Sequence, residues 1–473
     1  MPATNPWTRR EFLRAAAAVG VGAALAACAS EPESPAEQGQ AAGEEPSPTF
    51  TEPAGKLSGE LTLLMWSHFV PSHDEWFEKF AADWGGKVGV DVRVDHVDVT
   101  NVPTQIASEL QAGQGHDVMQ YIATLSQFEP SVLDLADITE EANNRYGQQL
   151  QICKDSSYNP HTDKYYAFAP GWVPDPGNYR KSLWEPAGFP DGPVTWDDLL
   201  EAGTEIKKSQ GVQLGLGMSQ EIDSNMAAHA LLWSYGASIQ DENENVVLDS
   251  PETLEAVEMM GKIYRGAMTD EVFAWNAASN NEGLIAGKLS YILNSISAYR
   301  SSQEVNPRIA DDTFFVPALN GSQSGLAAQH VMYNYIVPTS AKNPDAAKEF
   351  LLHYTANFGL ATYHSQLYDF PSWPSLAPKL GDWLADDPFG SKPSDKLAFL
   401  GDVETSAEWS ASIGHPGPSS PAIGEVLGTY AIPNMFADAV RGNASPKESI
   451  RTAHREAERI FGRWRNRGLI GGG

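Results

Sequence analysis

Residues 61–65, LTLLM, form an unbroken apolar run, and a strand that is apolar at every position must be covered on both faces. The period then changes. In HDEWFEKFAADW the groups Trp76, Phe77, Phe80, Ala81 and Trp84 fall at helical spacing, VGVDVRVDHVDV reads as a second strand, VPTQIASELQAG as a second helix, and HDVMQYI as a third strand. Strand and helix in alternation predict a parallel sheet with helices on its faces, a doubly wound α/β lobe. At 473 residues and 42% hydrophobic side chains, the chain has material for more than one such lobe.

Helix starts are legible further on. Thr195 with Asp198 makes a capping box in TWDD. Ser250 before Pro251, and Asn343 before Pro344, read as caps followed by proline at the first helical position. In SPKESIRTAHREAERIFGRW, Ser445 caps and Glu448 closes the box. Ile450, Ala453, Ala457, Ile460, Phe461 and Trp464 then line one apolar face.

Several stretches in order, GELTLLMW, ELQAGQGHDVMQY, GNYRKSLWEPAGFPDGPVTWDDLLEAGTEIKK, GLIAGKLSYILNS, FFVPALNG, YNYIVPTSAKNPDAAKEFLLHYT and AVRGNASPKESIRTAHREAERI, resemble the extracellular solute-binding proteins of ABC importers. The likeness is to the carbohydrate-binding group that includes maltose-binding protein. The resemblance implies two doubly wound α/β lobes joined by a hinge, the type II arrangement, with ligand held between them. Residues 60–168 and 314–368 would form the first lobe, and 169–313 and 369–470 the second. It also implies a permease and an ATPase as partners, a monomer, and no catalysis.

A sugar offers hydroxyls that must find partners when buried and a C–H face that packs on aromatic rings. A pocket for it needs indoles and amide or acid side chains in loops at the carboxyl ends of strands. On that test and the resemblance, the candidates are Trp66, Ser67 and His68 after the first strand, Gln120 and Tyr121 ending the third, and Trp172 and Asp175 past the first hinge crossing. Asp223 and Asn225, expected just before a helix, Asn294 and Ser295 at a strand end, and Trp373 between two prolines complete the set. Trp233 and the free thiol Cys153 read as core.

The amino terminus belongs to another function. TRREFLRAAAAVGVGAALAAC couples Arg9, Arg10 and Arg14 to an apolar run at 15–27 that spans only about 20 Å as a helix, against about 30 Å of bilayer core. A positive flank, a short apolar core and small residues make an export signal. TRREFLR resembles the twin-arginine type, and LAAC resembles a lipobox, which implies cleavage after residue 27 and a lipid on Cys28. The Glu, Pro, Ala, Gly and Ser of residues 28–59 cannot offset ordering entropy by burial, so a flexible linker is expected there. The expected location is extracytoplasmic, on the outer face of the cytoplasmic membrane.

A net charge of −29 repels nucleic acid and anionic headgroups. HExxH, GxSxG, GxxxxGK and paired CxxC are absent, and no cofactor or metal is expected; the cluster from His68 to Glu75 has residue types that could bind a metal, but it reads as a solvated loop. Two other readings stay open: a surface carbohydrate-active enzyme working through paired carboxylates, and a receptor for a non-sugar such as a polyamine or glycerol phosphate.

Overall fold

The apolar run becomes the central strand of a sheet, as its composition requires. In a computed structural model that describes residues 43–328 and 331–472, β1 (Gly59–Trp66) pairs in parallel with β2 (Val90–Val97) across its whole length, from Gly59 opposite Val90 to Trp66 opposite Val97. Between them α1 (Pro71–Val88) begins at a proline and ends where Gly89 takes φ 79°, a left-handed conformation that glycine adopts without a Cβ clash. Phe77, Phe80, Ala81 and Trp84 of α1 are buried, each large group worth about 1.5–3 kcal/mol for its removal from water. Helix α2 (Val102–Ala112) leads to β3 (Val118–Tyr121), parallel to the other side of β1. The β-α-β-α-β reading is therefore correct.

Beyond two helices (Ala136–Tyr146 and Gln151–Asp155) and a small hairpin, the chain makes β4 (Gly171–Val173) and β5 (Gly177–Arg180), and later α3 (Trp196–Gln210), whose capping box is formed by Thr195 and Asp198. After β6 (Gln213–Gly215) come α4 (Ile222–Ser234), α5 (Pro251–Ala267), capped by Ser250, β7 (Leu289–Leu293), α6 (Ser297–Val305) and β8 (Thr313–Val316). A second four-stranded sheet results, in the order β8-β5-β7-β6, with β6 parallel to β7 and the other pairs antiparallel. Because β8 belongs to this sheet, the chain crosses back later than the boundary expected at residue 314.

Two short strands follow, β9 (Val331–Met332) and β10 (Asn334–Ile336), then α7 (Pro344–Ala356) and β11 (Phe370–Pro371). β10 closes the first sheet as an antiparallel edge beside β3. β9, β4 and β11 form a separate three-stranded sheet where the chain passes between the two halves. The fold is two α/β halves joined by crossing strands.

The carboxyl-terminal part is helical: α8 (Pro421–Thr429), α9 (Ala431–Arg441) and α10 (Pro446–Asn466), the last burying all six apolar residues of its expected stripe. Two caps differ from expectation. Ser445 Oγ accepts the Glu448 N–H at 3.3 Å, but the Glu448 carboxylate turns to Arg455 at 3.7 Å instead of closing the box. The Asn343 amide donates to the carbonyls of Ser58 (2.9 Å) and Glu60 (3.1 Å), so it ties the entry of β1 to α7 and does not cap.

The expected linker at 28–59 needs correction over residues 43–58. Thr49 N–H donates to Asn357 Oδ1 (2.7 Å), Asn357 Nδ2 returns a bond to Thr49 O (2.8 Å), and Ala54 N–H donates to Glu349 Oε1 (2.9 Å). Side chains of α7 and its end thus satisfy an extended backbone whose large apolar groups are few, Phe50 against His353 and Leu57 in the core. The export signal, Cys28 and the first part of that linker lie outside the described residues. No helix among the described residues is long and apolar enough to cross a membrane.

Candidate ligand-binding site

Strand ends from both sheets deliver polar groups to one place. Tyr121 closes β3, and burial, followed by the nearby Tyr430, Glu221 and Asp223, holds its hydroxyl protonated well above the usual phenol range. Tyr368 stands just before β11, its hydroxyl buried without a hydrogen-bond partner; burial first, and the charges of Asp369, Asp223 and Asp175 after it, hold this phenol protonated too. Each is a buried phenol donor, one at the end of β3 and one in the crossing segment, and the Asp223 charge acts on both.

Each acceptor has a local reason for its position. Glu221, not Asp223, precedes α4: its carboxylate accepts the N–H groups of Asp223 (2.6 Å) and Ser224 (2.5 Å). Asp223 and Asn225 therefore lie inside the first turns of the helix rather than before it. Burial, then the neighbouring Asp223 charge, pushes the Glu221 carboxyl far up from its ordinary value. Asp223 is oriented by the Asn280 amide, which donates to Oδ2 at 2.8 Å. Asp175, fully buried, lies in the turn from β4 to β5 beside Tyr291, whose hydroxyl is raised by burial and by that carboxylate.

Asn294 and Ser295 follow β7 directly. The Asn294 amide donates to Asn281, its Oδ1 accepts the Ser295 N–H at 2.8 Å, and its carbonyl accepts Asn178 Nδ2 at 2.6 Å. This lattice fixes the backbone around Ser295, whose hydroxyl donates to Ser297 Oγ at 3.5 Å.

The aromatic candidates separate. Trp66, 2% exposed, stacks on Tyr333 (centroids 6.4 Å apart, planes at 16°) and contacts His68 and Phe69. Trp172, on the middle strand of the crossing sheet, meets Phe370 edge-on at 5.9 Å, and its indole N–H, like both polar atoms of the Gln120 amide, is buried without a hydrogen-bond partner. Such groups are costly unless something accepts or donates there. Asn225 donates weakly to Leu427 O at 3.4 Å, and Ser67 gives its N–H to Val97 O at 2.8 Å.

Trp373 is placed elsewhere. It is fully buried against Phe168 at 5.7 Å, with its N–H on Asn143 Oδ1 at 2.9 Å, so its polar atom is already satisfied within the core. Trp233 and Cys153 are buried as expected, and burial lifts the Cys153 thiol to about 12.

Tyr368, Glu221, Asn280 and Tyr430 join the group without having been singled out in the sequence. Tyr430 has φ 55°, a left-handed conformation costing an ordinary side chain roughly 1–2 kcal/mol, which no local pattern announces. The segment 68–75 also corrects an expectation: His68 and His73 are 2% and 3% exposed, not solvated.

Comparison with known proteins agrees with the architecture. A putative binding protein of Brucella abortus (strain 2308) is 25% identical over 175 residues, 37% of this chain; the chain spans only 42% of that relative's length. The maltose-bound MalE3 of T. maritima matches with TM-score 0.71 at 17% identity, over 85% of this chain and 100% of that one. A sugar transporter from Arthrobacter chlorophenolicus A6 with bound laminaribiose matches with TM-score 0.70 at 16% identity, over 85% and 99%. Residues 71–357, more than half of the sequence, match the family model itself, and the chain belongs to the bacterial extracellular solute-binding proteins.

Proposed function

We propose that this protein captures a sugar or oligosaccharide between its halves and delivers it, chemically unchanged, to the permease of an ABC importer. The observation that carries this reading is the group of buried polar side chains near strand ends: the Gln120 amide, the Trp172 N–H and the Tyr368 hydroxyl lack a hydrogen-bond partner, and Asp223 is oriented by Asn280. Hydroxyl donors together with carboxylate acceptors suit a ligand whose hydroxyls both give and take hydrogen bonds. The unpartnered N–H of Trp172 and amide of Gln120 supply further polar capacity.

Closure follows from where these groups originate. A ligand that touches Tyr121 on the first sheet and Asp223 on the second gains both sets of contacts only when the halves are together, so it shifts the population toward the closed state. The crossing strands β4, β9 and β11 are the hinge in this reading, and the halves are those expected from the sequence with the return crossing placed after Val316. The twin-arginine signal would export the chain, and a lipid on Cys28 would hold it at the outer face of the membrane.

The concentration of acids favours one alternative, a polyamine. Titration calorimetry against maltose, laminaribiose, longer glucans and spermidine decides between them, with chromatography of the recovered sugar. Saturable heat with a sugar and unchanged sugar afterwards supports capture; heat with spermidine alone, or cleaved product, overturns it. Cys28→Ser should move the protein from the membrane to the soluble fraction.

A further inference from the structure

Two imidazoles and a carboxylate meet in the interior beside the crossing strands. His68 lies in the loop after β1, His73 in the first turn of α1, and Asp369 immediately before β11; they are 2%, 3% and 0% exposed. His68 Nε2 is 3.2 Å from Asp369 Oδ1, and His73 Nε2 is 3.5 Å from Asp369 Oδ2. The rings stack with centroids 4.3 Å apart and planes at 24°, so both Nε2 atoms are turned to one carboxylate. Neither His73 Nε2 nor Asp369 Oδ2 has a hydrogen-bond partner, an unfavourable condition for buried polar atoms.

From this geometry we infer that His68 Nε2, His73 Nε2 and the Asp369 carboxylate bind one divalent transition-metal ion, zinc above all. The donor set decides the class. Imidazole nitrogens with one carboxylate oxygen suit zinc, whereas calcium and magnesium require oxygen ligands. The three donor atoms lie within 4.8 Å of one another, and tetrahedral zinc would hold them about 3.4 Å apart, so a contraction of roughly 1 Å completes the site. A water or the Tyr333 hydroxyl, which donates to Asp369 Oδ1, takes the fourth place.

The surrounding groups match what metal-bound histidines need on their other nitrogen. His68 Nδ1 lies 3.0 Å from the Val70 carbonyl and 2.9 Å from its N–H, while Nε2 meets the Tyr333 hydroxyl (3.1 Å) and Asp369 Oδ1 (3.2 Å); a proton on Nδ1, donated to that carbonyl, would turn the Nε2 lone pair to the ion. His73 Nδ1 lies 3.8 Å from Asp74 Oδ1. Asp369 and Asp74 together balance a double positive charge in the low-dielectric interior. The ion would join α1, on the first half, to the chain entering β11.

The inference is independent of the sugar reading. Full-length protein is stripped with a chelator, incubated with zinc sulfate or magnesium sulfate, desalted and measured for metal content and melting temperature. One zinc retained per chain with a raised melting temperature, no response to magnesium, and at least tenfold weaker zinc binding in His73→Gln and Asp369→Asn support the site. Because Asp369→Asn disturbs a buried network, circular dichroism must show each variant folded, and cobalt(II) supplies a second readout: a visible ligand-field band in wild type that His73→Gln loses. Failure of the stripped wild type to retain zinc, or equal retention by wild type and folded His73→Gln, overturns the proposal.

Discussion

Arg300 and Asp387 form a forked ion pair in the protein interior, Nη1 to Oδ2 at 2.7 Å and Nη2 to Oδ1 at 3.1 Å, with side chains 2% and 0% exposed. The guanidinium also donates to Gln366 O at 2.8 Å, and Asp387 accepts the Phe389 N–H at 3.0 Å, so both ions are compensated. Removing one partner strands the other charge. Asp387→Ala is expected to cost about 3–5 kcal/mol in denaturant unfolding. A loss below about 1 kcal/mol would mean that water reaches Arg300.

Trp66→Ala should cost about 3–5 kcal/mol, because the indole is packed against Tyr333 and Phe69 and the residual cavity cannot collapse freely. A variant that keeps its melting temperature while losing sugar would contradict this packing role.

Asp223→Asn retains the volume and the bond from Asn280 but removes the charge that acts on Tyr121 and Tyr368. Sugar affinity measured by calorimetry should fall at least tenfold, about 1.4 kcal/mol, with little change in melting temperature.

Gly171 begins β4, and a Cβ there would lie 1.9 Å from Phe358 Cζ, a fully buried ring. Gly171→Ala should destabilise by about 1–3 kcal/mol through overpacking, and Phe358→Leu in the same chain should recover part of the loss. Additive losses in the double variant would argue against the clash.

His229 is fully buried, with Nδ1 on the Asn225 carbonyl at 2.7 Å, and burial lowers its pKa to about 4. A histidine with a depressed folded pKa contributes stability above its unfolded value near 6.5, and that contribution is lost as pH falls toward 4. The loss is about 3 kcal/mol for a complete titration. His229→Gln should flatten the melting temperature between pH 6.5 and 4, and an unchanged slope would place the acid sensitivity elsewhere.

Much of this architecture is written locally. The period change between 61–65 and Trp76–Trp84 defines β1 and α1, and threonine or serine caps, with proline next in two of them, define α3, α5 and α10, because these signals act within a few residues. The site is written less locally. Asp223 and Ser295 are placed at the right ends of their elements, yet Tyr368 comes near them only because β11 pairs with β4, a contact between residues about 200 positions apart in the chain. Trp373 shows the converse: its flanking prolines suggest an exposed platform, but Asn143 and Phe168, both distant in sequence, supply a core for it. Residues 43–58 have a disordered composition and are held by partners distant in sequence: Glu349 and Asn357 at α7 and its end, His353 under Phe50, and His364 and Lys379 beside Glu45 and Glu44.

That hold on residues 43–58 bears on the working radius of the receptor. If Cys28 carries the proposed lipid, the covalent path from acyl chain to the first fixed residue covers positions 28–42 alone, at most about 50 Å when fully drawn out. It also leaves from the half that contains α7. Loading of the importer would then be confined to a thin shell above the bilayer, with the α7 half restrained and the opposite half freer to swing toward the gate.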